Sequence, residues 1–280
     1  MMPEMNGYEV LEHIKADLSL RDIPVIMISA VDEMESVVRC IELGAEDYLS
    51  KPFNATLLKA RVGASLDKKK LRDQETSYLA QIESEQRRSD ELLHAILPEG
   101  AVRELKTTNE VQPRRYDDVA VMFCDIVSFT AYCEQNPPEK VVGELQELVH
   151  RFDDIAFETG LEKIKTIGDA YMVASGVPTE RGDHEAQLIY LGMDMLQILE
   201  LYNKKSGLNL KLRIGINSGP VTAGVIGTHK FSYDLWGDTV NVASRMESSG
   251  IPNRIQVTKS VAEATGDLFT YEARETLTIK

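Results

Sequence analysis

The order of elements legible in residues 114–280 predicts an α+β domain, and three observations carry that prediction. "DDVAVMFCDIVSFT" is an apolar run of strand length that passes into a helix start, and "PEKVVGELQELVHRFDDIAFETG" follows it as a helix. "LEKIKTIG" and "DAYMVASG" are two strands that meet at a tight turn around Gly168-Asp169. "DHEAQLIYLGMDMLQILELYNKK" is a long helix, and "LKLRIGINSG" is the strand after it. Strand, helix, strand, strand, helix, strand is the ferredoxin-like (βαββαβ) order. Two further segments precede this domain: residues 1–66, a partial α/β unit, and residues 67–113, a helical linker.

In the first segment "NGYEVLEHIKADL" is amphipathic, with Val10, Leu11 and Ile14 on one face. "IPVIMISA" is a continuous apolar run, the mark of a strand buried on both faces of a parallel sheet. "EMESVVRCIELGA" is a helix closed by Gly44, "DYLSKPF" a short strand, and "NATLLKARVGASL" a helix with Asn54 as its N-cap. This is the back half of a doubly wound, flavodoxin-like α/β domain. "MPEMNGYE", Ser29 at a strand end and Lys51-Pro52 resemble a two-component receiver domain, which implies an upstream histidine kinase. In receivers the Ser or Thr and the Lys contact the aspartyl phosphate, and the acceptor Asp lies shortly before the Met-Pro pair. A chain read from Met1 leaves that acceptor out, so Ser29 and Lys51 are expected to be relics of a switch.

The linker is charged and free of proline until Pro98 and of glycine until Gly100. Leu71, Tyr78 and Leu92 follow a heptad, as do Ile82 and Ile96 in an alternate register. Glu75, Glu85 and Ser89 share the seam, so a coiled coil here is a weak one. The segment reads either as a solvated helix or as a dimeric signalling helix kept marginal so that an upstream event can change its register.

A formal net charge of −14 argues against a nucleic acid or an anionic membrane as partner, because both need a basic surface. An acidic protein that handles a polyphosphate recruits divalent cations to offset repulsion. Cys40, Cys124 and Cys133 are odd in number and widely spaced, which fits neither a disulfide framework nor a zinc site and points to a reducing cytoplasm. No apolar run has the length of a transmembrane helix, and the N-terminus lacks the pattern of a signal peptide.

Two carboxylates stand out. Asp125 ends the apolar strand "VAVMFCD", where a charge is costly unless compensated. Asp169 sits in the hairpin turn of the next two strands, which lie beside the first in a βαββ arrangement, so both acids can meet at one sheet edge. Two hard oxygen ligands there suit Mg²⁺ or Mn²⁺, which also take waters and substrate phosphates. Taken singly, Asp125 also reads as a helix cap and Asp169 as a turn residue. After Asp125, "IVSFT" opens a helix whose first backbone N–H groups, at Phe129 and Thr130, can cradle phosphate oxygens.

"FCDIVSFT", "KIKTIGDAYMVASG", "RIGINSGPVTAGVIG" and "YDLWGDTVNVASRMES" resemble, in order and spacing, the class III adenylate and guanylate cyclases across residues 114–280. "LLHAILPEGAVREL" resembles the connector that precedes many such domains. The resemblance implies two metal ions per site on Asp125 and Asp169, with the backbone carbonyl of Ile126 as a further ligand. It implies that Asn241 orients the ribose, that Arg245 stabilises the transition state, and that Lys165 and Asp234 read the purine. It further implies a homodimer in which the metal acids of one protomer face the other four residues of its partner.

Adenine offers an acceptor at N1 and a donor at its amino group, which Lys165 and Asp234 complement; guanine reverses both. The expected reaction is therefore ATP to 3′,5′-cyclic AMP and pyrophosphate. The alternatives are a guanylate cyclase or a catalytically weak nucleotide-binding module. Without a site, Lys165 reads as a solvated strand lysine and Arg245 as an exposed helix arginine. His150, His184 and His229 have no arguable partner and read as surface or packing residues, and Trp236, beside Asp234 in the dimer-facing motif, reads as a packing residue. Two departures from the family stand out: Pro220 occupies the place of a phosphate-contacting arginine, and Lys280 stands at the start of a late lysine motif.

Overall fold

The computed structural model describes residues 5–30, 34–227 and 229–275, so Met1–Pro3 and Lys280 lie outside the described residues. The chain divides into two compact units, Met1–Glu91 and Leu92–Lys280.

The first unit holds helix α1 (Gly7–Ala16), strand β1 (Ile26–Ser29), helix α2 (Met34–Glu42), strand β2 (Asp47–Ser50) and most of helix α3 (Ala55–His94). Asn6 caps α1 by accepting from the Tyr8 and Glu9 N–H groups, while the Glu9 side chain accepts from the Asn6 N–H, a capping box. β1 and β2 pair in parallel, and Leu11, Cys40 and Ala45 make the core beneath them. Asn54 accepts from the Thr56 N–H at the start of α3, as a cap should. One expectation fails: β1 is not buried on both faces, since Ile28 is 39% exposed. Met27 packs against the cluster of Leu11, Cys40 and Ala45 on one face, whereas Ile28, on the other, belongs to no buried cluster among the described residues. α3 runs unbroken for 40 residues, from the first unit through the expected linker, because nothing in 67–94 breaks a helix.

The second unit contains α4 (Glu99–Thr108), β3 (Arg114–Ile126), α5 (Phe129–Gln135), α6 (Pro138–Glu158), β4 (Glu162–Ile167), β5 (Ala170–Ser175) and α7 (His184–Ser206). β6 (Leu212–Ile226), β7 (Ser232–Trp236), α8 (Asp238–Ser248), β8 (Arg254–Val257) and α9 (Lys259–Ala264) complete it. The sheet order is β4-β5-β3-β6-β7, with β8 parallel on β6 and the remaining pairs antiparallel. The first strand of the βαββαβ unit is thus central, flanked by the third and fourth, and the domain is α+β.

β3 is buried on both faces. Ala120, Met122 and Cys124 pack with Leu148, Phe152, Leu188 and Met195 of α6 and α7. Val119, Val121 and Phe123 point the other way, to Ala101 and Val102 of α4 and Ala243 of α8. Helix α4, read from sequence as the end of the linker, therefore belongs to the second unit, because its apolar face has a sheet to cover. His184, read from sequence as a surface or packing residue, is buried, with Nδ1 2.9 Å from the Arg181 carbonyl and Nε2 3.1 Å from Glu185.

Glu162 on β4 is partly buried, and that burial pushes its carboxyl up to about 7. A carboxyl whose folded pKa exceeds its unfolded value stabilises the fold below the unfolded pKa, and that stability is lost as pH rises through the folded pKa. Glu162→Gln is expected to unfold like wild type at pH 4 and to be more stable at pH 8. The gain should be about 3 kcal/mol at most, at 1.36 kcal/mol per pKa unit. Urea midpoints at the two pH values check this, and equal gains at both would show that charge at Glu162 is not the cause.

Candidate active site

β3 carries Asp125 to the end of an apolar strand, on the face that looks towards α8. Gly168, with φ +65°, makes the left-handed corner of the β4–β5 hairpin that holds Asp169. The hairpin lies beside β3, so the acids meet. The Asp169 Oδ2 accepts from the Ile126 N–H at 3.3 Å, beside Asp125. Burial, then the neighbouring Asp125 carboxylate, pushes the Asp169 carboxyl up to about 6. Ile126 thus meets the acids through its N–H. Two acids crowded in this way fit a divalent cation, whose charge relieves their repulsion and whose remaining positions suit phosphate and water. No group of three or more His, Cys, Asp or Glu able to hold a metal occurs among the described residues, so other oxygens would complete such a site.

Phe129 and Thr130 open α5 just beyond these acids. The Phe129 ring packs on the core beside Tyr132, while Thr130 is exposed at the helix start.

Lys165 on β4 and Asp234 on β7 come from the two outer strands of the sheet path, yet Nζ and Oδ2 lie 2.5 Å apart. A register shift in the β3–β6 ladder between Tyr116 and Val119 bends the pair from whose far end β6 carries β7. Asp234 Oδ1 also accepts from the Leu235 N–H at 2.9 Å, which leaves Oδ2 aimed at Lys165.

Asn241 and Arg245 lie four residues apart on one exposed face of α8. The Arg245 guanidinium has no ion-pair partner among the described residues. The fold thus joins Asp125 to Asp169 and Lys165 to Asp234, and presents Asn241 and Arg245 without attaching them to either pair. Trp236 is 38% exposed at the end of β7 in the single chain.

Sequence reasoning missed Arg213 and Glu247. Arg213 on β6 stands opposite Asp125 in register, with Nη2 2.9 Å from Asp125 Oδ2 and Nε 2.9 Å from Glu247 Oε1. The available signal was a basic residue, Arg213, between the apolar positions Leu212 and Ile214 of the strand.

Residues 111–280 match the family described as "Adenylate and Guanylate cyclase catalytic domain", and residues 1–63 match the response regulator receiver domain. An adenylate cyclase of Mycobacterium tuberculosis (strain ATCC 25618 / H37Rv) is 41% identical over 202 residues, 72% of this chain and 46% of that protein. Guanylyl cyclase C of Sus scrofa is 41% identical over 197 residues, 68% of this chain and 18% of its own length. The chain spans less than half the length of either relative.

Among solved structures, the catalytic core of a rhodopsin-guanylyl cyclase with converted specificity, in complex with ATPalphaS, aligns with a TM-score of 0.58 and 34% identity, covering 60% of this chain and 92% of that one. The adenylyl cyclase CyaB from P. aeruginosa aligns with a TM-score of 0.54 and 27% identity, covering 56% and 84%. Together with the shared fold, these matches establish that the chain belongs to the adenylate and guanylate cyclase catalytic domain family: it is a class III nucleotide cyclase with a receiver segment ahead of its catalytic domain.

Proposed function

We propose that this cyclase converts ATP to 3′,5′-cyclic AMP and pyrophosphate as a homodimer with shared active sites. The observation that carries the choice of ATP is the contact between Lys165 and Asp234. One donor and one acceptor, brought together from the two outer strands of the sheet path, complement adenine N1 and its amino group. The same two residues would face guanine with a donor against N1–H and an acceptor against a carbonyl. Guanylyl cyclase C is as similar overall as the mycobacterial adenylate cyclase, so this pair, not overall identity, supports the reading.

In this reading Asp125 and Asp169 hold Mg²⁺ or Mn²⁺, two ions per site, with Ile126 beside them. Bound there, the ions supply Lewis acidity to the ribose 3′-hydroxyl and neutralise charge on the leaving pyrophosphate. Asn241 orients the ribose. The first N–H groups of α5, at Phe129 and Thr130, receive phosphate oxygens. The 3′-oxygen attacks the α-phosphorus in line and gives its proton to solvent water, the bond from the α-phosphorus to the bridging oxygen breaks, and pyrophosphate leaves. Arg245 holds the charge that develops on the α-phosphoryl oxygens with its planar fork of donors.

Dimerisation completes the site, because Asn241 and Arg245 then face the acids of the other protomer. Exposed Leu71, Tyr78 and Leu92 on α3 supply a seam along which two copies can pair. The receiver segment places a histidine kinase upstream in this reading. A charge of −14 disfavours a nucleic acid or an anionic membrane as partner, and no helix among the described residues is long and apolar enough to cross a membrane. A cytoplasmic setting fits the three free cysteines.

Incubation with ATP or GTP and Mn²⁺, followed by assay of both cyclic products, tests the reading. Cyclic AMP is expected to dominate on the order of 10⁴-fold in kcat/KM, the scale set by mispaired polar groups in a site. Equal or greater cyclic GTP formation would overturn the choice of ATP.

A further inference from the structure

We infer that Arg213 is a positioning residue that locks the metal-binding edge of the sheet to helix α8, holding Asp125 with one nitrogen of its fork and Glu247 with another. The inference rests on the reading of Asp125 and Asp169 as a metal pair.

The geometry is built by register. Arg213 and Asp125 are direct cross-strand partners on β6 and β3, so their side chains leave the same face of the sheet. Alternate residues of β6 on that face, Arg213, Gly215 and Asn217, all meet α8. Asn217 Nδ2 donates to the Thr239 carbonyl at 3.1 Å, which seats the first turn of the helix. A Cβ placed on Gly215 would lie 1.9 Å from the Glu247 nitrogen, so the last turn of α8 rests on bare strand backbone. Arg213 is the contact of the three that also reaches the acid pair. Its Nε and Nη2 each lie 2.9 Å from a carboxylate oxygen, one on Glu247 and one on Asp125.

Charge alone gives no reason for this arrangement. A guanidinium beside an acid that must take a cation repels that cation. Glu247 offsets the charge of Arg213, so the pair fixes the direction of the Asp125 carboxylate while leaving its charge for the metal. A lysine, as a point charge on a flexible stem, cannot hold two acceptors in set directions as this fork does. Glu247 lies two residues beyond Arg245 and six beyond Asn241 on the same helix. The setting of Asp125 is therefore tied to the seat of the helix that carries the nucleotide-facing residues. In the two-fold dimer those residues serve one site and Asp125 the other, so each protomer frames half of both sites on one rigid link.

The test is Mn²⁺ affinity, measured from the electron paramagnetic resonance of free Mn²⁺ in the presence of a non-reacting ATP analogue. Wild type is expected to bind Mn²⁺ and Asp125→Asn to lose it. Arg213→Lys and Arg213→Gln are each expected to weaken binding roughly 10- to 100-fold, the usual cost of removing a partner that orients a ligand. The sign is decisive. If Arg213 acted only through its charge, the glutamine variant would bind Mn²⁺ more tightly and the lysine variant as wild type does, and either result overturns the inference. Glu247→Asp keeps every charge but shortens the reach, so it is expected to weaken Mn²⁺ binding although Glu247 touches no metal; unchanged binding overturns the inference even if the Arg213 variants do not fold. If wild type and Asp125→Asn bind Mn²⁺ alike, the metal reading falls and takes the inference with it. If they differ while the Arg213 and Glu247 variants match wild type, only the inference falls.

Discussion

Lys165→Glu combined with Asp234→Cys is expected to carry the preference of the enzyme from ATP towards GTP, with the ratio of the two kcat/KM values moving by several orders of magnitude. The two side chains lie 2.5 Å apart and partly buried, so each is the other's main polar partner until a purine displaces that contact. Guanine needs an acceptor for N1–H and no acceptor opposite its carbonyl, which the double variant provides. Discrimination of about 10⁴-fold is within reach when the wrong base leaves buried polar groups unpaired. The single variants carry the argument further. Lys165→Glu alone sets a new carboxylate against that of Asp234, and like charges directly opposite repel. It is expected to turn over both nucleotides poorly, and the second substitution is expected to rescue GTP use rather than add to the damage. Kinetics on both nucleotides for the two single variants and the double variant check this. Retention of the wild-type preference by the double variant would sink the purine assignment.

The parts of this site legible in the sequence are those whose chemistry is out of place locally. Asp125 shows because a charge at the end of six apolar residues needs a reason, and Asp169 because it follows the glycine of a tight hairpin. Lys165 and Asp234 stand 69 positions apart, and only their complementary donor and acceptor, set beside the family motifs, joined them before the structure did. Arg213 and Glu247 stayed hidden for the opposite reason. An arginine in a strand and a glutamate near a helix end are ordinary on their own. Their meaning lies in the β3–β6 register and in the close approach of α8 at Gly215, and no local pattern records either. The same holds for α4. Its apolar residues Ala101, Val102 and Leu105 have helical spacing that fits a linker seam or a sheet-covering helix equally well. Only the sheet face exposed by Val119, Val121 and Phe123 decides between them. In β1, an apolar run implied cover on both faces, but cover is set by neighbouring elements rather than by the strand itself.

Two inactive variants, Asp125→Ala and Arg245→Ala, are expected to restore activity to each other when their subunits exchange. Asp125→Ala removes one of the two acids that hold the cation and should abolish both metal binding and turnover. Arg245→Ala removes a transition-state donor and should cost on the order of 10²- to 10³-fold in kcat. Within one protomer Asp125 is bound to Arg213 and lies beside Asp169, whereas Arg245 stands exposed on α8 with no ion-pair partner among the described residues. That division is what a site shared across an interface requires. In a two-fold dimer with random pairing, about half of the dimers from an equal mixture contain one chain of each kind. Each mixed dimer then has one site carrying both lesions and one site carrying neither, so activity should return to roughly a quarter of wild type by that symmetry. A site assembled within one chain predicts no recovery, because every site keeps one lesion whatever its neighbour. Exchange itself is checked separately, with a size-tagged copy of one variant and native mass measurement of the mixed species. If mixed dimers form and the mixture stays inactive, the shared-site mechanism fails, while the assignment of Asp125 to the metal stands or falls on its own loss of Mn²⁺ binding.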